Sequence, residues 1–94
     1  MDTKRSRLRI FYSGYVQGVG FRYTAREVAC GYEVTGYTRN LHDGRVELVA
    51  EGSEEEVTAF LDGIRVSQLG SHIRQADVNW REATGEFNGF EIRY

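Results

Sequence analysis

The sequence predicts an α+β domain, with two helices packed on one face of a four- to five-stranded antiparallel sheet. Three observations predict it. Apolar residues alternate with period two in several short runs, the mark of half-buried strands. Two longer runs carry apolar residues at helical spacing. Along the chain the runs read strand, helix, strand, strand, helix, strand, then a short terminal strand, which is the split βαβ, or ferredoxin-like, arrangement. Two helix stripes need an apolar surface, and one sheet face supplies it. Right-handed crossovers place the first and third strands centrally, in the order 4-1-3-2.

The first strand spans Arg7 to Ser13, with Leu8, Ile10 and Tyr12 on its apolar face. The first helix runs from Phe21 to Cys30 and places Phe21, Ala25, Val28, Ala29 and Tyr32 on one stripe. Gly31 is its natural stop. The second strand covers Val34 to Asn40 and contains Gly36, a residue that in a strand marks close approach by another group. Leu41 to Gly44 form a hairpin loop. In the third strand, Arg45 to Glu51, Val46, Leu48 and Ala50 face the core, while Arg45, Glu47 and Glu51 face out. Ser53 and Glu56 form a capping box for a second helix ending near Val66, with stripe Val57, Phe60, Leu61 and Ile64. After a loop from Ser67 to Ser71, the fourth strand spans Ile73 to Glu82, with Ala76, Val78 and Trp80 on one face and Trp80 in the core. Phe90, Ile92 and Tyr94 alternate in the last strand.

Composition narrows the function. The 94 residues make one domain (1–94, with 1–6 a flexible tail), and a chain of this size must gather its apolar faces into one core. Twelve basic and fourteen acidic residues leave a net charge of −2, which gives no general attraction to nucleic acid or anionic membrane. Lys4, Arg5, Arg7 and Arg9 make the start basic, read as a solvated tail. Cys30 is the single cysteine and is expected to be half-buried and inert, without a disulfide. No signal-peptide core or membrane-length segment is seen, so the expected location is cytoplasmic and the expected state a monomer.

The stretch Gly14-Tyr15-Val16-Gln17-Gly18-Val19-Gly20-Phe21-Arg22 carries the chemistry. It joins the first strand to the first helix. Its glycines allow sharp turns that aim several amides in one direction. The helix start adds unpaired N–H groups and a positive dipole end. Arg22 adds a planar fork of donors. Together these describe a phosphate-sized anion site without a metal ligand.

The run Gly14-x-Val16-Gln17-Gly18-Val19-Gly20-Phe21-Arg22 resembles the active-site loop of the acylphosphatases. The second stretch of that family is also present, as Gly36-Tyr37-Thr38-Arg39-Asn40 followed by Asp43-Gly44-Arg45-Val46-Glu47. The resemblance spans nearly the whole chain. It implies metal-independent, cofactor-free hydrolysis of small acyl phosphates to carboxylate and inorganic phosphate. Backbone amides of Tyr15, Val16, Gln17, Gly18, Val19, Gly20 and Phe21, together with Arg22, would hold the phosphoryl group, and Asn40 would orient water. The Tyr94 carboxylate would help hold Arg22. The resemblance also sets the last strand beside the second. Two positions depart from the family pattern. Tyr15 replaces a basic residue, and Glu33 stands where glycine is usual, so Glu33 is expected to bear backbone strain or the turn to tighten.

Other residues read more plainly. His42 is a solvated turn residue that the mechanism does not need, and His72 lies at a strand end. The same fold class also serves non-enzymatic modules that bind RNA or a phosphorylated ligand. Phe11 could stack a base, but a third strand without aromatics and with two outward glutamates opposes RNA. The same domain also begins a hydrogenase-maturation carbamoyltransferase that handles carbamoyl phosphate. A chain ending soon after the domain favours a free-standing enzyme.

Overall fold

The computed structural model describes residues 4–94. The elements are β1 (Arg5–Gly14), α1 (Phe21–Ala29), β2 (Thr35–Asn40), β3 (Val46–Ser53), α2 (Glu54–Val66), a 3₁₀ turn (Gln68–His72), β4 (Ile73–Glu82) and β5 (Phe90–Arg93). They form one sheet in the order β4-β1-β3-β2-β5, as the predicted 4-1-3-2 core with a strand added beside the second. The tail expected over 1–6 lies partly outside the described residues, and its last two residues, Arg5 and Ser6, pair with Ser53 and Gly52 in the sheet.

The sheet is mixed rather than wholly antiparallel, because β5 runs parallel to β2. The chain leaves β4 at the end of the sheet where β2 begins. It then crosses the face opposite the helices and enters the far edge in the same direction as β2. Glu51 anchors that crossing by accepting hydrogen bonds from the Thr84 and Gly85 main-chain amides at 2.9 and 3.0 Å. Phe87 packs under the Arg7 guanidinium and against Tyr37.

The core lies between the helices and the other face of the sheet. Leu8, Ile10, Tyr12, Val46, Leu48 and Ala50 line the sheet side. Phe21, Ala25, Ala29, Val57, Phe60 and Ile64 descend from the helices. Leu69 of the 3₁₀ turn is fully buried among them, in a stretch the sequence reads only as loop. At Gly36, β2 lies against β3 with no room for a side chain. The glycine has a φ of +147°, and a Cβ there would lie 1.8 Å from the Val49 carbonyl oxygen.

Several local expectations change. Glu47 and Glu51 point away from the core as the pleat requires, yet both are fully buried. Arg9 and Arg39 close over Glu47 with nitrogen–oxygen distances of 2.7 and 2.6 Å, so a charged face becomes a second, polar layer. Burial pushes the Glu47 carboxyl up, but hydrogen bonds and charge from Arg39 and Arg9 more than offset this and hold it below the usual range. Only half of the capping box forms. Ser53 accepts from the Glu56 amide, whereas the Glu56 carboxylate accepts from the Glu33 amide at 2.8 Å. That bond secures the turn after α1, where Gly31 has no positive φ and no described non-glycine residue has one, so Glu33 carries no such strain. Trp80 is 41% exposed rather than core, because β4 lies at the sheet edge beyond the helices. Cys30 is exposed rather than half-buried.

Candidate active site

Four segments converge at one end of the sheet: the loop after β1, the end of β2 with its turn, the start of β4, and the C-terminus after β5. The strand directions dictate this. β1, β2 and β5 end where β3 and β4 begin.

The loop from Tyr15 to Gly20 is pinned by one buried residue near each end. Val16 and Phe21 are buried, and Phe21 packs on Tyr12 with ring centroids 5.1 Å apart. Gly18 and Gly20 lie between these anchors at φ +77° and +75°, in open space, where a side chain would strain the turn. Among the described residues, no main-chain N–H from Val16 to Phe21 donates to a protein acceptor. The amides of Arg22 and Tyr23, in the first turn of α1, are equally free. Gly20 caps that helix without a side-chain bond, and no acidic residue lies in its first turn. The Tyr15 amide differs from the rest of the predicted cradle, since it donates to the His72 carbonyl at 2.9 Å. The Tyr15 side chain is 74% exposed. His72 ends the 3₁₀ turn and contributes through this carbonyl.

Arg22 donates to the Arg93 carbonyl at 3.3 Å and lies 4.7 Å from the centre of the Tyr94 ring. Among the described residues it has no carboxylate partner, so the ring and a carbonyl, rather than the terminal carboxylate, hold it. The Tyr23 hydroxyl is 3.5 Å from that of Tyr94 and pushes the Tyr94 phenol above its ordinary range. Asn40 ends β2 half-buried and lines the cavity described next. Val16, Gly18, Gly20, Phe21, Arg22, Tyr23 and Asn40 line one cavity of about 250 Å³.

Gln17 has a role that the sequence reading misses. Its side-chain amide donates to the carbonyls of Leu41 and Arg45 at 2.7 and 2.9 Å. It thereby ties the loop to the turn that follows Asn40. No residue pattern signals this bond, because both acceptors are main-chain groups. His42 is exposed in that turn, outside the cavity lining. Among the described residues, no group of three His, Cys, Asp or Glu is arranged to hold a metal ion, and no helix is long and apolar enough to cross a membrane.

The acylphosphatase family model matches residues 8–92. The chain belongs to the acylphosphatase family. An acylphosphatase of Pyrobaculum calidifontis is 42% identical over 92 residues, covering 97% of this chain and 84% of its own. The crystal structure of the Bacillus subtilis acylphosphatase superposes with a TM-score of 0.86 at 32% identity, covering 95% of this chain and 99% of that one. Part of full-length HypF, in a phosphate- and nucleotide-bound form, has a similar fold. Its TM-score is 0.85 at 25% identity, covering all of this chain and 12% of HypF. The acylphosphatase fold thus accounts for the element order, including the mixed fifth strand.

Proposed function

We propose that the amides of residues 16–21 and the Arg22 guanidinium hold the phosphoryl group of the substrate, and that the Asn40 side chain orients the attacking water. The enzyme hydrolyses the carboxyl–phosphate bond of small acyl phosphates. Water attacks phosphorus, the bond to the carboxylate oxygen breaks, and inorganic phosphate is released. The carboxylate leaves readily, so the demand falls on positioning and on charge. The single observation that supports these roles is a run of amides unpaired among the described residues, beside a guanidinium with no carboxylate partner among them, in one cavity with Asn40.

Arg22 supplies charge that strengthens as the phosphoryl oxygens gain it. At an effective dielectric of ~20 and ~4 Å, one such pair is worth about 4 kcal/mol, and it accelerates the reaction to the extent that it grows in the transition state. The Asn40 amide is too weak a base to take the water proton, and a phosphate oxygen of the substrate accepts it. A single exposed thiol, Cys30, supports a reducing, cytoplasmic location.

The test is hydrolysis of an aryl acyl phosphate by purified protein with chelator present. Arg22→Ala should lose about a thousandfold in kcat/KM. Asn40→Ala should lose kcat while competitive inhibition by inorganic phosphate stays within about twofold. Near-wild-type turnover by Arg22→Ala, or loss of phosphate binding without loss of kcat in Asn40→Ala, would overturn these assignments.

A further inference from the structure

The turn between β2 and β3 contains a charged pair, Asp43 and Arg45, two residues apart. The Asp43 carboxylate accepts from the Arg45 main-chain amide at 3.1 Å and from the Arg45 guanidinium at 2.8 Å. The first bond closes an Asx turn. These two bonds, that from the main chain foremost, hold the Asp43 carboxyl below the usual carboxylate range. Both side chains reach into water, Asp43 being 55% and Arg45 38% exposed. An ion pair so placed contributes little to stability. What it does is hold residue 45 at two points, amide and side chain, and so restrict where its carbonyl lies.

That carbonyl joins two parts of the site. It accepts from the Leu41 amide at 2.8 Å, which closes the turn directly after Asn40, and from the Gln17 side chain at 2.9 Å, which comes from the phosphate loop. Asn40 and Val46 are the last paired residues of β2 and β3, so the path of the turn sets how Asn40 meets the loop. The pair itself has a fixed platform. The Arg45 guanidinium lies 4.7 Å from the centre of the Phe11 ring, and a cation over an aromatic face is attracted to it. Phe11 belongs to β1, the strand that leads into the loop. A line of contacts thus runs from Phe11 through the charged pair and the Arg45 carbonyl to Gln17.

We propose, resting on the assignment of the attacking water to Asn40, that Asp43 and Arg45 are positioning residues for the reaction, which hold the turn in register with the phosphate loop. Neither residue is among those that line the cavity, so both act through the Arg45 carbonyl and Gln17 rather than on the substrate. A displacement of ~1 Å at a reacting group costs up to about a hundredfold in rate. A pair that adds little to the fold therefore has a large effect on turnover.

The test is steady-state hydrolysis of an aryl acyl phosphate, with each variant assayed well below its thermal midpoint and Asn40→Ala run alongside. Arg45→Ala should lower kcat about five- to thirtyfold, with inhibition by inorganic phosphate changed less than about twofold. Intact phosphate inhibition also shows that the variant is folded. Asp43→Ala, which removes the acceptor of the Arg45 amide as well, should lose at least as much. Arg45→Lys keeps a cation beside Asp43 and Phe11 and should stay within about threefold of the wild type. Because the pair acts through Gln17, the double variant Gln17→Ala/Arg45→Ala should have kcat within about twofold of Gln17→Ala alone, whereas independent losses would multiply. Wild-type kcat in Arg45→Ala and Asp43→Ala, with Asn40→Ala slow, overturns the positioning role and leaves the Asn40 assignment standing. Wild-type kcat in Asn40→Ala overturns that assignment and the positioning role with it. Losses that multiply in the double variant, or equal losses of kcat and phosphate affinity in Arg45→Ala, overturn the positioning role as well.

Discussion

Replacing Gln17 by alanine separates the phosphate cradle from the turn that follows Asn40. The wild-type amide donates to two carbonyls, Leu41 at 2.7 Å and Arg45 at 2.9 Å. Each carbonyl has a second donor within the turn, since Gly44 reaches Leu41 and Leu41 reaches Arg45. Neither is orphaned by the change, so the loss falls at the lower end for hydrogen bonds, about 1–2 kcal/mol for the pair. For a domain of this size that lowers Tm by roughly 5–10 °C. The turn keeps its own bonds and its shape but loses its docking to the loop. A shift of ~1 Å between Asn40 and the cradle costs up to about a hundredfold in rate. The cradle itself stays pinned by buried Val16 and Phe21. Steady-state hydrolysis of an aryl acyl phosphate should therefore show kcat reduced ten- to a hundredfold, with inhibition by inorganic phosphate changed less than about threefold. Unchanged kcat with a lowered Tm would refute the argument and leave Gln17 a structural tie. Parallel loss of kcat and phosphate affinity would show that Gln17 shapes the cradle rather than its alignment with Asn40.

Gly36→Ala should destabilise the fold by about 3–5 kcal/mol in denaturant titration, since its Cβ would meet the Val49 carbonyl oxygen at 1.8 Å from a positive φ. Gly31→Ala, at ordinary φ and with its nearest contact at 3.5 Å, should be neutral or stabilising by up to about 1 kcal/mol. Glu47→Gln should cost about 1–3 kcal/mol at neutral pH, a range discounted because Arg9 and Arg39 are each about half exposed. The folded Glu47 carboxyl titrates below its unfolded value, so its contribution is complete above the usual carboxylate range and is lost as pH falls through the depressed value. Tm profiles of the two proteins from pH 7 to 2 should therefore converge in acid, and a constant gap would contradict the assignment.

Periodicity and punctuation made the fold legible. Alternation in β1 and β3 and the helical stripes of α1 and α2 are local properties, and the order of elements then restricts the topology. The loop was legible because it is contiguous: glycine spacing, a helix start and Arg22 lie within nine residues. Features that depend on distant main-chain groups were not legible. Gln17 finds carbonyls 24 and 28 residues away, and Arg22 rests on the last two residues. The Tyr15 amide is taken by His72. Solvent exposure failed in the same way. Alternation assigns Glu47 to a face, but only the arginines of two neighbouring strands decide that this face is covered. It gives Trp80 an apolar side, but only the edge position of β4 leaves that side open. The sequence by itself determined which backbone conformations form and which groups can bind an anion, because those follow from neighbours a few residues apart. Tertiary structure decided which amides stay unpaired, which charges are buried and which strand edge is left free, because those depend on contacts between segments that only the folded sheet brings together.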